Sequence, residues 1–133
     1  MMYELAVRHG MEPVIIRDIA ARQGISEKYL SKLIIPLKAA RLVTSLRGAH
    51  GGYILARDPS KITLRQIVEV LEGDITPVEC AGNSTMCDKS ESCPTREIWQ
   101  GLHRTITEFL EGITLDDIAK AGMDDDCISN FCI

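Results

Sequence analysis

The feature that most constrains this chain is a glycine turn set between two helical patterns. Ile16 to Arg22 reads as a helix, and Gly24 falls at the C′ position, where a residue without a Cβ ends a helix easily. Ser26 follows as an N-cap, with a hydroxyl that can accept an orphan backbone N–H, and it opens a helix running toward Ala40. Pro36 lies inside that helix and removes a hydrogen bond, so a kink or an early change of direction is expected there. Leu42 to Leu46 is β-like, Arg47 to Gly52 is a turn-rich tip, and Tyr53 to Ala56 is the return strand of a hairpin.

Helix, glycine turn, helix and hairpin come in the order of a winged helix-turn-helix, a fold that reads double-stranded DNA. Ser26, Lys28, Tyr29, Ser31 and Lys32 crowd the start of the third helix. There they can meet base edges and phosphates when the helix N-terminus enters a major groove. The hairpin tip carries Arg47, His50 and the glycines Gly48, Gly51 and Gly52. Small glycines let a backbone approach a duplex closely, and Arg47 can reach into a minor groove. The plainer reading makes Ser26 only a cap and Arg47 only a solvated turn residue.

Charge points the same way. The net charge of −4 conceals an asymmetry: residues 1–66 balance at +6 and residues 67–133 at −10. A basic half beside an acidic half suggests that the first half meets a polyanion. A basic surface with no partner is the alternative.

Around this module the chain reads as follows. Tyr3 to Arg8 is the last part of a helix closed by Gly10. Thr63 and Gln66 form a capping box before a helix with Leu64, Ile67, Val68 and Leu71 on one face, stopped by Gly73. Residues 74–93 show no sustained period, and a loop of that length is expected to be functional or tied down. Pro94 suits the first turn of a long helix bearing Ile98, Leu102, Ile106, Phe109 and Ile113. Thr114 caps a short helix from Leu115 to Ala121, and Gly122 to Ile133 is an acidic tail.

The expected fold is therefore mainly α with a small β-wing. Its parts are a winged helix-turn-helix over 1–73, a cysteine sensor loop over 74–93, a dimerisation helix with a short capping helix over 94–121, and the tail over 122–133. The apolar residues of the long helix, with Trp99 as an anchor, exceed what one small domain covers. Pairing with a symmetry mate would set the spacing of two reading heads in a homodimer. No apolar run is long enough to span a membrane and the start does not read as a signal peptide, so a cytoplasmic protein is expected.

Cys80, Cys87, Cys93, Cys127 and Cys132 make an odd count without a secretion signal, which argues against a disulfide framework. The first three are spaced C-x6-C-x5-C, a poor match to the C-x2-C of zinc knuckles. Thiolates hold iron–sulfur clusters, and Gly82 and Asn83 supply the flexibility that gathering them needs. A helix starting after Cys93 also favours a thiolate there. Spacing alone leaves open a metal centre, a thiol switch or three free thiols. Cys127 and Cys132 read as bystanders able to form a disulfide. An enzyme with a cysteine nucleophile is not expected, since no cysteine has a base partner nearby in sequence.

Three segments together resemble a known family: Gly24-Ile25-Ser26 with Tyr29-Leu30 and Leu33, then Pro36 through Val43, then Arg47 through Ala56. The sequence is similar to the IscR/NsrR regulators, the Rrf-two family, over residues 3 to 121, and the RGxxGGYxLA wing is more specific than a generic helix-turn-helix. The resemblance implies a homodimeric repressor or activator on a double-stranded DNA operator. It implies an iron–sulfur cluster, [2Fe-2S] or [4Fe-4S], on Cys80, Cys87 and Cys93, sensing redox, nitric oxide or iron–sulfur status. The alternative within the family is a cluster-free regulator of the CymR type, controlled by thiol oxidation or a partner protein. Family members carry further residues before the position of Met1, which make most of their first helix. In the nitric-oxide branch an aspartate from that segment is the fourth ligand. Arg96 stands where the iron–sulfur biogenesis regulator has histidine. His9, Glu4, a water or a small thiol remain open as the fourth ligand, and His103 reads as structural.

Overall fold

Capping residues and glycines set the element boundaries in the computed structural model, which describes residues 1–82 and 92–123. Helix α1 spans Met2–Val7, α2 Ile16–Gln23 and α3 Glu27–Ala39. Strands β1 (Val43–Leu46) and β2 (Gly52–Leu55) form the hairpin, followed by a 3₁₀ turn at Pro59–Lys61. Then come α4 (Leu64–Glu72), α5 (Glu79–Gly82), α6 (Arg96–Glu111) and α7 (Leu115–Met123). The protein is mostly helical with a small two-stranded antiparallel sheet, the winged helix-turn-helix architecture expected above.

Between α2 and α3 the local rules act as written. Gly24 ends α2 in the left-handed conformation at φ +63°. The Ser26 hydroxyl accepts the Tyr29 N–H at 3.1 Å. With the turn fixed, α3 turns Leu30, Ile34 and Leu37 inward at helical spacing, against Ile19 and Ala20 of α2 and Leu42, Val43 and Leu55 of the hairpin. Leu5, Ile62 and Leu115 complete the core, and every buried residue among those described is apolar. Burying each large side chain contributes about 1.5–3 kcal/mol.

Pro36 lies inside α3, as expected, and no early change of direction occurs there. The helix runs on to Ala39, and Pro36 still accepts the Ala40 N–H at 2.9 Å. The change of direction comes at Arg41, which has φ +57°. Leu42 N–H bonds to the Leu37 carbonyl and Arg41 N–H to the Lys38 carbonyl, both at 3.0 Å. This is a Schellman ending with an arginine where glycine is usual. Arg41→Gly is expected to raise the unfolding free energy by about 1 kcal/mol by removing the left-handed strain. Urea unfolding reads this directly, and an unchanged or lower midpoint would refute it.

The wing strands start or end within one residue of the expected bounds, and they pair with Val43 opposite Leu55 and Leu46 opposite Gly52. Val14 adds to its free edge through Tyr53, with N···O distances of 2.9 and 2.8 Å. Thr63 and Gln66 form the expected reciprocal capping box on α4, each bond 3.2 Å long.

Two helices depart from expectation in the second half. The stretch read as structureless contains α5, whose Ala81 N–H bonds back to the Val78 carbonyl at 3.0 Å. Helix α6 starts two residues beyond Pro94, because Thr95 is the N-cap and its carbonyl takes the first helical bond from Trp99 at 3.1 Å. Thr114 caps α7 as expected, accepting from Asp117 N–H at 3.2 Å while Asp117 bonds back to Thr114 N–H at 2.9 Å. Helix α7 then folds back onto the first body. Leu115 N–H bonds to Ile62 carbonyl and Leu64 N–H to Ile113 carbonyl, both at 2.8 Å, and α7 packs on α1.

Candidate nucleic-acid interface

The inward turn of Leu30, Ile34 and Leu37 dictates what α3 shows to solvent. Lys28, Ser31, Lys32 and Ile35 share the opposite face and all are exposed, with Tyr29 beside them at 53% exposure. Ile35 is 66% exposed, and the sequence reading missed it. The 3.6-residue spacing from Lys28 and Lys32 would have found it. It is an apolar group among cations, of the kind that can meet a thymine methyl. Ser26 is also exposed, but its hydroxyl is already engaged as the cap.

Arg47 and His50 project from an exposed hairpin tip. Gly48 there has φ +121° and open space where a Cβ would stand. Gly51 and Gly52 have internal reasons to be glycine. A Cβ on Gly51 would lie 2.5 Å from the Leu46 carbonyl oxygen, and one on Gly52 would lie 2.8 Å from that of Val14. Lys38 Nζ donates to Ser45 Oγ at 3.0 Å, tying the third helix to the wing. Among the described residues the ion pairs engage Arg22 with Glu4, Arg65 with Glu69 and Glu111, and Lys120 with Asp116. Lys28, Lys32 and Arg47 form none of them, so this face keeps its positive charge for an external partner.

The described residues include only part of the cysteine segment. Cys93 is half-buried, with its Sγ 3.3 Å from Thr95 Oγ1 at the start of α6. Hydrogen bonds from the Thr95 side chain and backbone, with the Arg96 N–H and charge, hold the thiol below its usual pKa despite some burial. Cys93 is therefore primed toward thiolate, the reactive and metal-binding form. Thr95→Val is expected to move the pH midpoint of Cys93 alkylation upward. An unchanged midpoint in the iodoacetamide rate profile would remove the hydroxyl from this account.

Cys80 lies in α5, which packs through Ala81 beside Gln100, His103 and Thr107 in the middle of α6. Cys93 stands three residues before the first residue of that helix. Cys87, Cys127 and Cys132 lie outside the described residues. Among the described residues no cluster of three or more His, Cys, Asp or Glu side chains is placed to hold a metal. Arg96 is half-buried on α6. His103 Nδ1 and Thr107 Oγ1 are buried without hydrogen-bond partners among the described residues.

The apolar residues of α6 divide into two sets. Ile98, Leu102 and Phe109 are 67%, 42% and 64% exposed. Trp99, Ile106 and Leu110 are half-buried on the flank roughly a quarter-turn away. Trp99 therefore does not stand at the centre of the open face.

Residues 1–121 match the model of the Rrf2 family, described as an iron-dependent transcriptional regulator. The chain is 41% identical over 120 residues to the transcriptional regulator CymR of Bacillus subtilis, covering 90% of this chain and 82% of that one. It is 34% identical over 119 residues to the regulator IscR of Xenorhabdus nematophila, covering 90% of this chain and 72% of that one. Among solved structures, T. potens IscR superposes with a TM-score of 0.75 at 42% identity, over 91% of this chain and 79% of that one.

Proposed function

The chain belongs to the Rrf2 family of transcription regulators, and from that premise we propose that it is a homodimeric, cytoplasmic, operator-binding sensor with an iron–sulfur cluster on its cysteine segment. It is a regulator and not an enzyme, and regulators of this family bind DNA and are typically dimeric. No helix among the described residues is long and apolar enough to cross a membrane.

The unpaired cationic face of α3 and the wing carries the DNA reading. Each third helix enters a major groove through Ser26, Lys28, Tyr29, Ser31 and Lys32. Each wing follows the adjoining minor groove with Arg47, His50, Gly51 and Gly52. The Lys38–Ser45 bond supports this by holding helix and wing at one angle. Two copies joined through α6 present the two reading heads to a pseudo-palindrome.

The donor chemistry of the cysteine segment fits a cluster. Cys93 is biased toward the thiolate that ligates iron, and Cys80 and Cys87 are thiols of the same segment. When bound, the group would supply an iron centre open to oxygen or nitric oxide. The chain's own part is mechanical. Residues 74–93 join the reading domain to α6, so a change in their order alters how the heads are held. A coupling of about 1–3 kcal/mol between loop state and DNA affinity is expected.

A second reading, a cluster-free regulator of the CymR type, is supported by Arg96, which stands where the iron–sulfur biogenesis regulator has histidine, and by the 41% identity to CymR. In that case oxidation of Cys93, or a partner protein, sets the affinity.

Anaerobic purification followed by iron and sulfide analysis separates the two. The cluster reading expects both elements in the parent and their loss in Cys80→Ser, Cys87→Ser and Cys93→Ser. Cys127→Ser and Cys132→Ser should keep them. If all three loop variants hold iron and sulfide like the parent, these cysteines are not the ligands. A parent free of both elements selects the thiol reading.

A further inference from the structure

The middle of α6 contains a glycine that nothing among the described residues requires. Gly101 has no positive φ, and a Cβ built on it meets no atom of the described residues within 4 Å. Glycine weakens a helix interior relative to alanine, so an alanine here would stabilise the helix itself. The described fold therefore supplies no reason for the glycine, and a contact with a second chain does.

The surroundings indicate where. Ile98, Leu102 and Phe109 form one exposed stripe at spacings of i, i+4 and i+11, and Gly101 and Thr105 border it one turn apart. The Thr105 hydroxyl donates to the Gly101 carbonyl at 2.8 Å, which satisfies it within the helix. The stripe therefore offers apolar groups and a bare backbone, with no unpaired hydroxyl. None of the 16 residues of α6 is fully buried.

Its size argues for the occupant. At roughly 200 Å² for each large side chain, the three exposed residues leave about 350 Å² in water, as large as the biggest patch on a typical monomer. Two copies bring roughly 700 Å², a little under half of a standard interface. The rest can come from the flanks of a self-complementary helix pair.

We propose that Gly101 is the crossing point at which α6 packs against α6 of a second copy. The absent side chain lets the helix axes approach closer than the usual separation of about 8–10 Å, with Thr105 beside it and Ile98, Leu102 and Phe109 closing over the contact. This rests on the pairing through α6 put forward above and adds its geometry. The crossing distance sets the separation of the two reading heads, so a residue far from DNA selects the operator spacing.

Sedimentation equilibrium of the full chain tests the proposal with Gly101→Ala, Gly101→Leu, Leu102→Glu and Phe109→Glu. Gly101→Ala should raise the dimer dissociation constant at least tenfold while its helix content and thermal midpoint, read below that constant, stay equal or rise. Gly101→Leu should weaken the dimer further. If both glycine variants dimerise like the parent while Leu102→Glu and Phe109→Glu dissociate, the crossing point is wrong and the pairing face stands. If the two glutamate variants also dimerise like the parent, the pairing itself fails.

Discussion

Leu115→Ala is expected to lower the unfolding free energy by about 2–5 kcal/mol, the range for a leucine truncated in a packed core. Leu115 is only 2% exposed, although it lies after the long helix and far in sequence from the reading head it supports. Its N–H bonds to Ile62 carbonyl, and Thr63 pairs with Thr114, so the start of α7 is tied to the start of α4. Ile62 is itself fully buried, and Ala119 continues the α7 contact into the core. Removing the Leu115 side chain opens a cavity between segments held by these backbone bonds, so the site cannot collapse cheaply. Urea unfolding of the full chain measures the loss. Met123→Ala, at an exposed position of the same helix, is the control and should change stability by less than about 0.5 kcal/mol. A Leu115→Ala cost under about 1 kcal/mol would mean that α7 is not part of the core.

Substituting Lys28, Lys32 and Arg47 together by alanine is expected to cut operator affinity at least a hundredfold at moderate salt. Arg47 alone should account for about 1–3 kcal/mol if it reads a groove or base. If all three neutralise phosphates, the slope of log affinity against log salt should become shallower by roughly 3. The triple variant should fold like the parent, because all three residues are exposed and none forms an ion pair among the described residues. Fluorescence anisotropy on a selected duplex, repeated across a salt series, reads both quantities. An unchanged affinity and an unchanged slope together would place the DNA elsewhere. A changed affinity with an unchanged slope would mark these residues as acting through shape and not through charge.

Much of the reading head was legible before any coordinates, because local rules dominate there. Gly24 in the left-handed region, Ser26 on the Tyr29 N–H, and Thr63 with Gln66 each act within four residues of themselves. A pattern that closes over so short a distance can be read from the order of residues. The cationic face of α3 followed, since burying Leu30, Ile34 and Leu37 leaves Lys28 and Lys32 no other place.

What the sequence could not decide were matters of which surface meets which. That the chain changes direction at Arg41 and not at Pro36 is settled by the Schellman bonds around Arg41. Gly51 and Gly52 suit a duplex contact on paper, but only the approach of the Leu46 and Val14 carbonyls shows that the fold itself excludes a side chain there. The apolar residues of α6 form one series in sequence. In space they separate into a covered flank with Trp99 and Ile106 and an open stripe with Ile98 and Phe109, because α4 and α5 pack against one side only. Helix α7 reads as an appendage to the long helix, yet it is core to the reading head. By itself the sequence determined the helices other than α5, the turn, the wing and the sign of the charge, through interactions that span one or two turns of backbone. Only the tertiary structure decided which apolar faces are used up internally and which remain for a second copy, because that depends on contacts between residues dozens of positions apart.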